Sequence, residues 1–356
     1  MNDASGASDP PTFDVAATLG AVFDGATLPR DEARQVMGRL MDGDLSQMQA
    51  AALLAALRTR GETVEEIVGF AEAMRERSIH VDADVGGPLL DICGTGGTGI
   101  STINVSTTAT FVAAAGGATV AKHGNRGVTK KSGSADVLEA LGVRLDVPIE
   151  RLGAALGEVG VAFLYARQHH PAMKFVAPIR ADLRARTIFN NLGPLTNPAA
   201  ADRQLLGTYG PALTRTLAEV LRGLGLERAL VVHGDGLDDF TVSGESVYAE
   251  LRSDGEIVDH VLTPEEVGLD RAPAAALAGG DAATNAAAAR AILAGETRGP
   301  TRDVVQLNAG AALYLADQAS SIADGVGRAG DLLDAGAGLE VLDRYVAFTG
   351  GRFPAP

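Results

Sequence analysis

Between Phe13 and about Arg77, apolar residues recur at helical spacing with no β-branched alternation, which predicts about four helices. Two capping boxes punctuate this stretch. Ser46-Gln47-Met48-Gln49 opens an Ala/Leu-rich helix that stops near Gly61, and Thr63-Val64-Glu65-Glu66 opens the next. At Pro88-Leu89-Leu90-Asp91-Ile92 the pattern changes to short apolar runs bounded by turns. Further strands are predicted at 118–121, 161–165, 204–209, 229–232 and 247–251. Helices are predicted from Asn104 through Ala115 and at 134–141, 211–224 and 282–293. Strands alternating with helices imply an α/β fold with a mostly parallel central sheet, preceded here by a small all-helical N-terminal domain. The expected division is a disordered tail at 1–12, a helical domain at 13–85 that 169–200 joins, and an α/β domain formed by 86–168 and 201–356.

Ligands in such sheets sit beyond the carboxyl ends of the strands. Three loops follow predicted strands and should therefore converge on one site. In the first, Gly94-Thr95-Gly96-Gly97-Thr98-Gly99, glycine permits conformations that aim successive N–H groups into one concavity. It lacks the Gly-Lys-Ser/Thr of a P-loop, and its spacing departs from the dinucleotide fingerprint. Glycine makes up 44 of 356 residues against a usual share of about 7%, so on local grounds this loop is either a plain turn or a phosphate cradle. Asn104-Val105-Ser106-Thr107 supplies helix-capping oxygens that also suit diphosphate and, at Ser106, Mg²⁺. The second loop, from Lys122 to Ser134, places Lys122, Arg126, Lys130 and Lys131 around two glycines, a local anion trap or a solvated turn. In the third, His233 to Asp239, Asp238 and Asp239 are adjacent; they fit Mg²⁺ or a plain acidic turn. His169-His170 has no third ligand at helical spacing and does not read as a metal site.

Charge narrows the field. The net charge of −15 and an aromatic content of 4% without Trp disfavour nucleic acid and anionic membrane as partners. A small anionic substrate held by local cations remains compatible. The single cysteine, Cys93, excludes an intrachain disulfide and a cysteine-cluster metal site. The start of the chain has no basic stretch or apolar core of a signal peptide, and the longest apolar runs are too short to span a bilayer, so a soluble, cytoplasmic protein is expected.

The strings GTGGTGISTINVST, KHGNRGVTKKSGSADVLEALG, HHPAMKFVAPIRADLRARTIFNNLGPLTNP and HGDGLDD, in this order, resemble the anthranilate phosphoribosyltransferases. The likeness runs from the N-terminal helices to the Leu307-Asn308-Ala309-Gly310-Ala311-Ala312 segment. It implies a nucleoside phosphorylase/phosphoribosyltransferase-like fold and transfer of phosphoribose from phosphoribosyl diphosphate (PRPP) to the amine of anthranilate, in tryptophan biosynthesis. It further implies Mg²⁺, two ions per site, and a homodimer formed through the helical domain. Carried over residue by residue, Gly94, Gly97, Thr98, Thr102, Asn104, Val105, Ser106 and Thr107 would contact PRPP. So would Lys122, His123, Gly124, Asn125, Arg126, Gly127, Val128, Thr129, Lys130 and Ser134. Gly94, Asn125, His170 and Arg180 would hold anthranilate, and Ser106, Asp238 and Asp239 would hold metal. No covalent nucleophile or general base is implied.

The chain departs from the family pattern at four places. Thr98 stands where Asp is common, Asp239 where Glu is, Lys130 where Ser is, and Arg167 where Pro is. Two rival readings are a pentosyl transferase of this fold with another acceptor, and an inactive relative that binds nucleic acid.

Overall fold

The computed structural model describes residues 13–127 and 131–352, so the tail expected at 1–12 lies outside the described residues. Four helices open it: α1 Val15–Phe23, α2 Arg30–Asp42, α3 Gln47–Arg60 and α4 Val64–Glu76. Both capping boxes form. Ser46 Oγ accepts from Gln49 N at 3.2 Å while Gln49 Oε1 accepts from Ser46 N at 2.9 Å. At α4 the Glu66 carboxylate caps Thr63 N at 2.8 Å and also accepts from Leu28 N and the Arg60 guanidinium, which explains how a carboxylate is tolerated fully buried.

A seven-stranded sheet follows, built from β1 Leu89–Gly94, β2 Thr119–Gly124, β3 Val161–Tyr165, β4 Arg203–Gly207, β5 Arg228–Gly234, β6 Ser246–Leu251 and β7 Ile257–Leu262. Its order is β3-β2-β1-β4-β5-β6-β7. The first five strands pair in parallel, and β6 and β7 add an antiparallel meander at one edge. The sequence pattern missed β7. Its signal was Asp254-Gly255, a hairpin turn in which Gly255 takes φ +83 and Arg252 N bonds Glu256 O at 2.9 Å.

The remaining helices are α5 Val105–Ala115, α6 Ser134–Ala140, α7 Ile149–Val159, α8 Ala166–His169, α9 Ala177–Leu183, α10 Phe189–Leu192 and α11 Leu213–Gly223, then α12 Ala282–Leu293, α13 Pro300–Leu315, α14 Ile322–Asp334 and α15 Ala337–Phe348. Strand alternation feeds two cores, one on each face of the sheet. On β5, Leu230 and Val232 join α5 and α12 to α15, whereas Ala229 and Val231 join α1 to α4 and α11. Val176, Ile179, Ile188, Phe189, Leu192 and Leu195 enter the core of α1 to α4, so the segment carrying α9 and α10 packs with the N-terminal helices. That core continues to Leu206 and Val231 of the sheet, and so fastens the helical layer directly onto the strands. Strand order reverses between β1 and β4, which opens a crevice at their carboxyl ends. No described helix is long and apolar enough to cross a membrane.

Candidate active site

A cavity of about 350 Å³ occupies that crevice. Its wall combines Gly94 to Gly97 after β1; Asn104, Ser106 and Thr107 at the start of α5; Lys122 to Gly127 at the end of β2; and Ser132 to Ser134 leading into α6. Arg180 of α9, Phe189 and Asn190 of α10, Gly193, Pro194 and Asp238 close the other sides. The three loops thus converge as their positions after strands predicted.

Close backbone approach explains two of the glycines. A Cβ at Gly207 would lie 1.7 Å from Asp238 O, and one at Gly94 would lie 2.5 Å from Asp238 Oδ2. Only glycine lets the Asp238 loop sit against both strand ends. The carboxylate then accepts from Gly96 N at 2.8 Å, and Thr95 N reaches Gly207 O at 2.9 Å across the switch point.

Beneath the glycine loop, Lys122 is buried and donates to Ile92 O at 2.5 Å and Ser106 Oγ at 3.3 Å. Burial pushes its ammonium below the usual lysine range, while Asp91 pulls the other way. Asp91 is itself buried, which raises its carboxyl pKa. It accepts from His123 N at 3.1 Å, Gln204 Nε2 at 3.3 Å and Cys93 Sγ at 3.4 Å, so it ties β1 to the end of β2 under the cavity. On the α6 side, Asp136 Oδ2 accepts from Gly127 N at 2.8 Å and Gly133 N at 2.9 Å, pinning both ends of the second loop.

Rings and apolar residues, among them His123, Phe189 and Pro194, also line the cavity. The His123 and His170 rings pack at a tilt of 54° with centroids 5.2 Å apart. Burial holds His123 well below the usual histidine range, and burial followed by the neighbouring His169 brings His170 down to about 4. Both rings are therefore neutral near pH 7. Arg180 lies over the Phe189 ring at 5.7 Å, and burial lowers its pKa as well.

Several expected residues sit elsewhere. Thr98 and Thr102 do not line the cavity; Thr98 Oγ1 is buried without a hydrogen-bond partner, and Thr102 bridges to Ala278. Val105 belongs to the core, its N–H bonded to Ile103 O at 2.9 Å. His170 stands behind His123 instead of on the wall, and Asp239 is also off the wall although its charge reaches Lys122. Arg126 stays at the rim, its guanidinium held by Asp136 at 3.0 Å and Glu139 at 2.5 Å. His169 turns away to Ile79 O. Asn104 occupies the cap position of α5 without capping it; its Oδ1 accepts from Asn285 Nδ2 at 2.8 Å. Val128, Thr129 and Lys130 lie outside the described residues. No role had been assigned to Phe189, Asn190, Gly193 or Pro194, although all four stand in the RTIFNNLGPLTNP string.

A parallel-sheet crevice lined by a glycine loop, a helix start, the buried Lys122 and a carboxylate defines a class that handles phosphate-bearing ligands. Residues 86–339 match the family description "Glycosyl transferase family, a/b domain", and residues 17–78 match "Glycosyl transferase family, helical bundle domain". An anthranilate phosphoribosyltransferase of Deinococcus radiodurans is 49% identical over 92% of this chain and 97% of its own length. One of Rubrobacter xylanophilus is 51% identical over 90% and 94%. The crystal structure of the Thermus thermophilus enzyme superposes with a TM-score of 0.88 at 48% identity, covering 93% of this chain and 99% of that one. The chain belongs to the anthranilate phosphoribosyltransferase family. A Saccharomyces cerevisiae member solved in complex with PRPP and Mg shares the fold, with a TM-score of 0.86 at 24% identity, covering 94% of this chain and 98% of that one.

Proposed function

We propose that this cleft carries out the reaction of its family, transfer of the 5-phosphoribosyl group from PRPP to the amine of anthranilate with release of diphosphate. The observation that carries this reading is the pairing, in one cavity, of the buried Lys122 beside the glycine loop with the half-buried Arg180 beside Phe189. The arylamine is neutral near pH 7 and attacks without a strong base. As the C1–O bond breaks, positive charge grows on the ribose and negative charge on the diphosphate. Lys122, with those amides of the Gly94 loop that Asp238 and Gly207 do not already engage, faces that negative charge, and this fixed arrangement supplies the largest contribution. Arg180 grips the anthranilate carboxylate and, with Asn125, aims the amine at C1.

Ser106 and Asp238 offer hard oxygen ligands on the cavity wall, with Asp239 one residue on, a set that fits Mg²⁺ sharing its shell with diphosphate oxygens and water. Two ions per site are part of this reading, and when bound they neutralise charge on the leaving group. The helical layer, 13–85 with 169–200, would form a homodimer; Phe23 is 57% and Met48 85% exposed on it, and a monomer by light scattering at micromolar concentration would contradict this.

The test is loss of anthranilate fluorescence with PRPP and Mg²⁺. Consumption that needs both co-substrates is expected. Folded protein that consumes none at any Mg²⁺ concentration, yet transfers to another amine in an acceptor panel, would move the reading to a different pentosyl transferase.

A further inference from the structure

We infer that Arg186 is a further positioning residue for the donor, acting through the carbonyl of Gly97; this rests on the reaction proposed above. Arg186 lies between α9 and α10, so the segment that supplies Arg180 and Phe189 also sends a cation back across to the glycine loop. Its Nη2 donates to Gly97 O, and its guanidinium carbon lies 4.3 Å from the centroid of the Tyr209 ring, next to the end of β4. A Cβ built on Gly97 would meet Arg186 Nε and Nη2 at 3.6 Å, so the guanidinium plane rests directly against the loop.

The loop needs such a restraint. Gly96, Gly97 and Gly99 all adopt positive φ, and four glycines in the six residues 94–99 leave the free backbone many alternatives. From inside the molecule it is held by Gly96 N on Asp238 and Thr95 N on Gly207. Arg186 supplies the restraint from outside. Its charge is placed for the same end. Arg126 at the opposite rim is neutralised by Asp136 and Glu139, whereas among the described residues no carboxylate pairs with Arg186. An exposed arginine ordinarily loses more side-chain entropy on fixation than one hydrogen bond returns; stacking on Tyr209 makes this placement stable. The result is an unopposed positive charge fixed at the mouth of the cradle proposed to hold diphosphate.

The experiment combines calorimetric titration with inorganic diphosphate and Mg²⁺, which needs no turnover, with steady-state kinetics. Arg186→Ala should weaken diphosphate binding and raise KM for PRPP by about tenfold, the loss of one charge-assisted contact, with KM for anthranilate changed less than about twofold. Arg186→Lys should fall between wild type and Arg186→Ala, and Tyr209→Leu should act in the same direction by about threefold. The thermal midpoint of Arg186→Ala should equal that of wild type. Unchanged diphosphate affinity in Arg186→Ala, or equal rises in both KM values, would overturn the assignment. Wild-type protein that binds diphosphate but transfers nothing to anthranilate would overturn the proposed reaction instead, with the titration still deciding the role of Arg186.

Discussion

On the donor side the cleft wall is main chain and cations at the ends of parallel strands, whereas on the acceptor side it is side chains wedged between the helical core and the sheet. Gly94, Gly96 and Gly97 line the cavity with Gly96 N anchored on Asp238, and Lys122 lines it from the end of β2. Across the cavity, His123, Arg180, Phe189 and Pro194 come from four separate elements, and burial has lowered the pKa of both titratable members of that group. In the proposed reading one side takes the highly charged, hydrated diphosphate and the other a flat, mostly apolar acceptor with a single carboxylate. The difference teaches how one cavity can order two unlike substrates: each is matched by the polarity of its own wall, and the reacting atoms meet at the seam.

The largest expected effect falls on the donor side. Replacing Asp238 and Asp239 together by Ala should lower kcat about a hundredfold, because the pair acts on leaving-group charge, while KM for anthranilate moves less than about threefold. A comparable loss on both sides would mean the walls are not separable. Next comes the acid response of the buried histidine packed behind His123. His170 is held at about 4 against an ordinary 6.5, so the unfolded chain binds the proton first. Stability from this group is complete above pH 6.5 and is lost as pH falls from 6.5 through about 4. Thermal midpoints measured across that window should fall more steeply for wild type than for His170→Gln, and parallel curves would contradict it. The smallest effect is expected at Thr98. Because it lies off the wall, Thr98→Asp should shift the Mg²⁺ concentration for half-maximal rate by less than about threefold, the scale of a screened charge. A larger shift in a rate-against-Mg²⁺ titration would put Thr98 within the metal's field.

The same contrast explains what could be read from the chain. Donor-side residues are contiguous in sequence, since a strand end, a glycine turn and a helix start are local events with local signals. The glycine run at 94–97 and the cation-rich loop that starts at Lys122 could therefore be located from pattern alone, each as either a turn or an anion cradle. Arg180 and His170 carry no such signal, and only resemblance pointed to them; packing against the helical core then sets one on the wall and the other behind His123. Arg186 was invisible because its role depends on a contact with Gly97, far away in sequence. Val105 and Arg126 show the opposite limit. A core contact draws Val105 off the cavity, and two carboxylates on α6 hold the Arg126 guanidinium at the rim of the cavity it lines.

The division of labour is tested most directly by measuring both KM values in two variants side by side. Arg180→Ala should raise KM for anthranilate about thirtyfold and that for PRPP less than about twofold, because the proposed bidentate carboxylate contact is lost. Lys122→Met, which keeps the volume of the buried stem, should do the reverse, raising KM for PRPP about tenfold with little change for anthranilate. A crossed pattern is the result this account predicts; parallel rises of both KM values in both variants would contradict it.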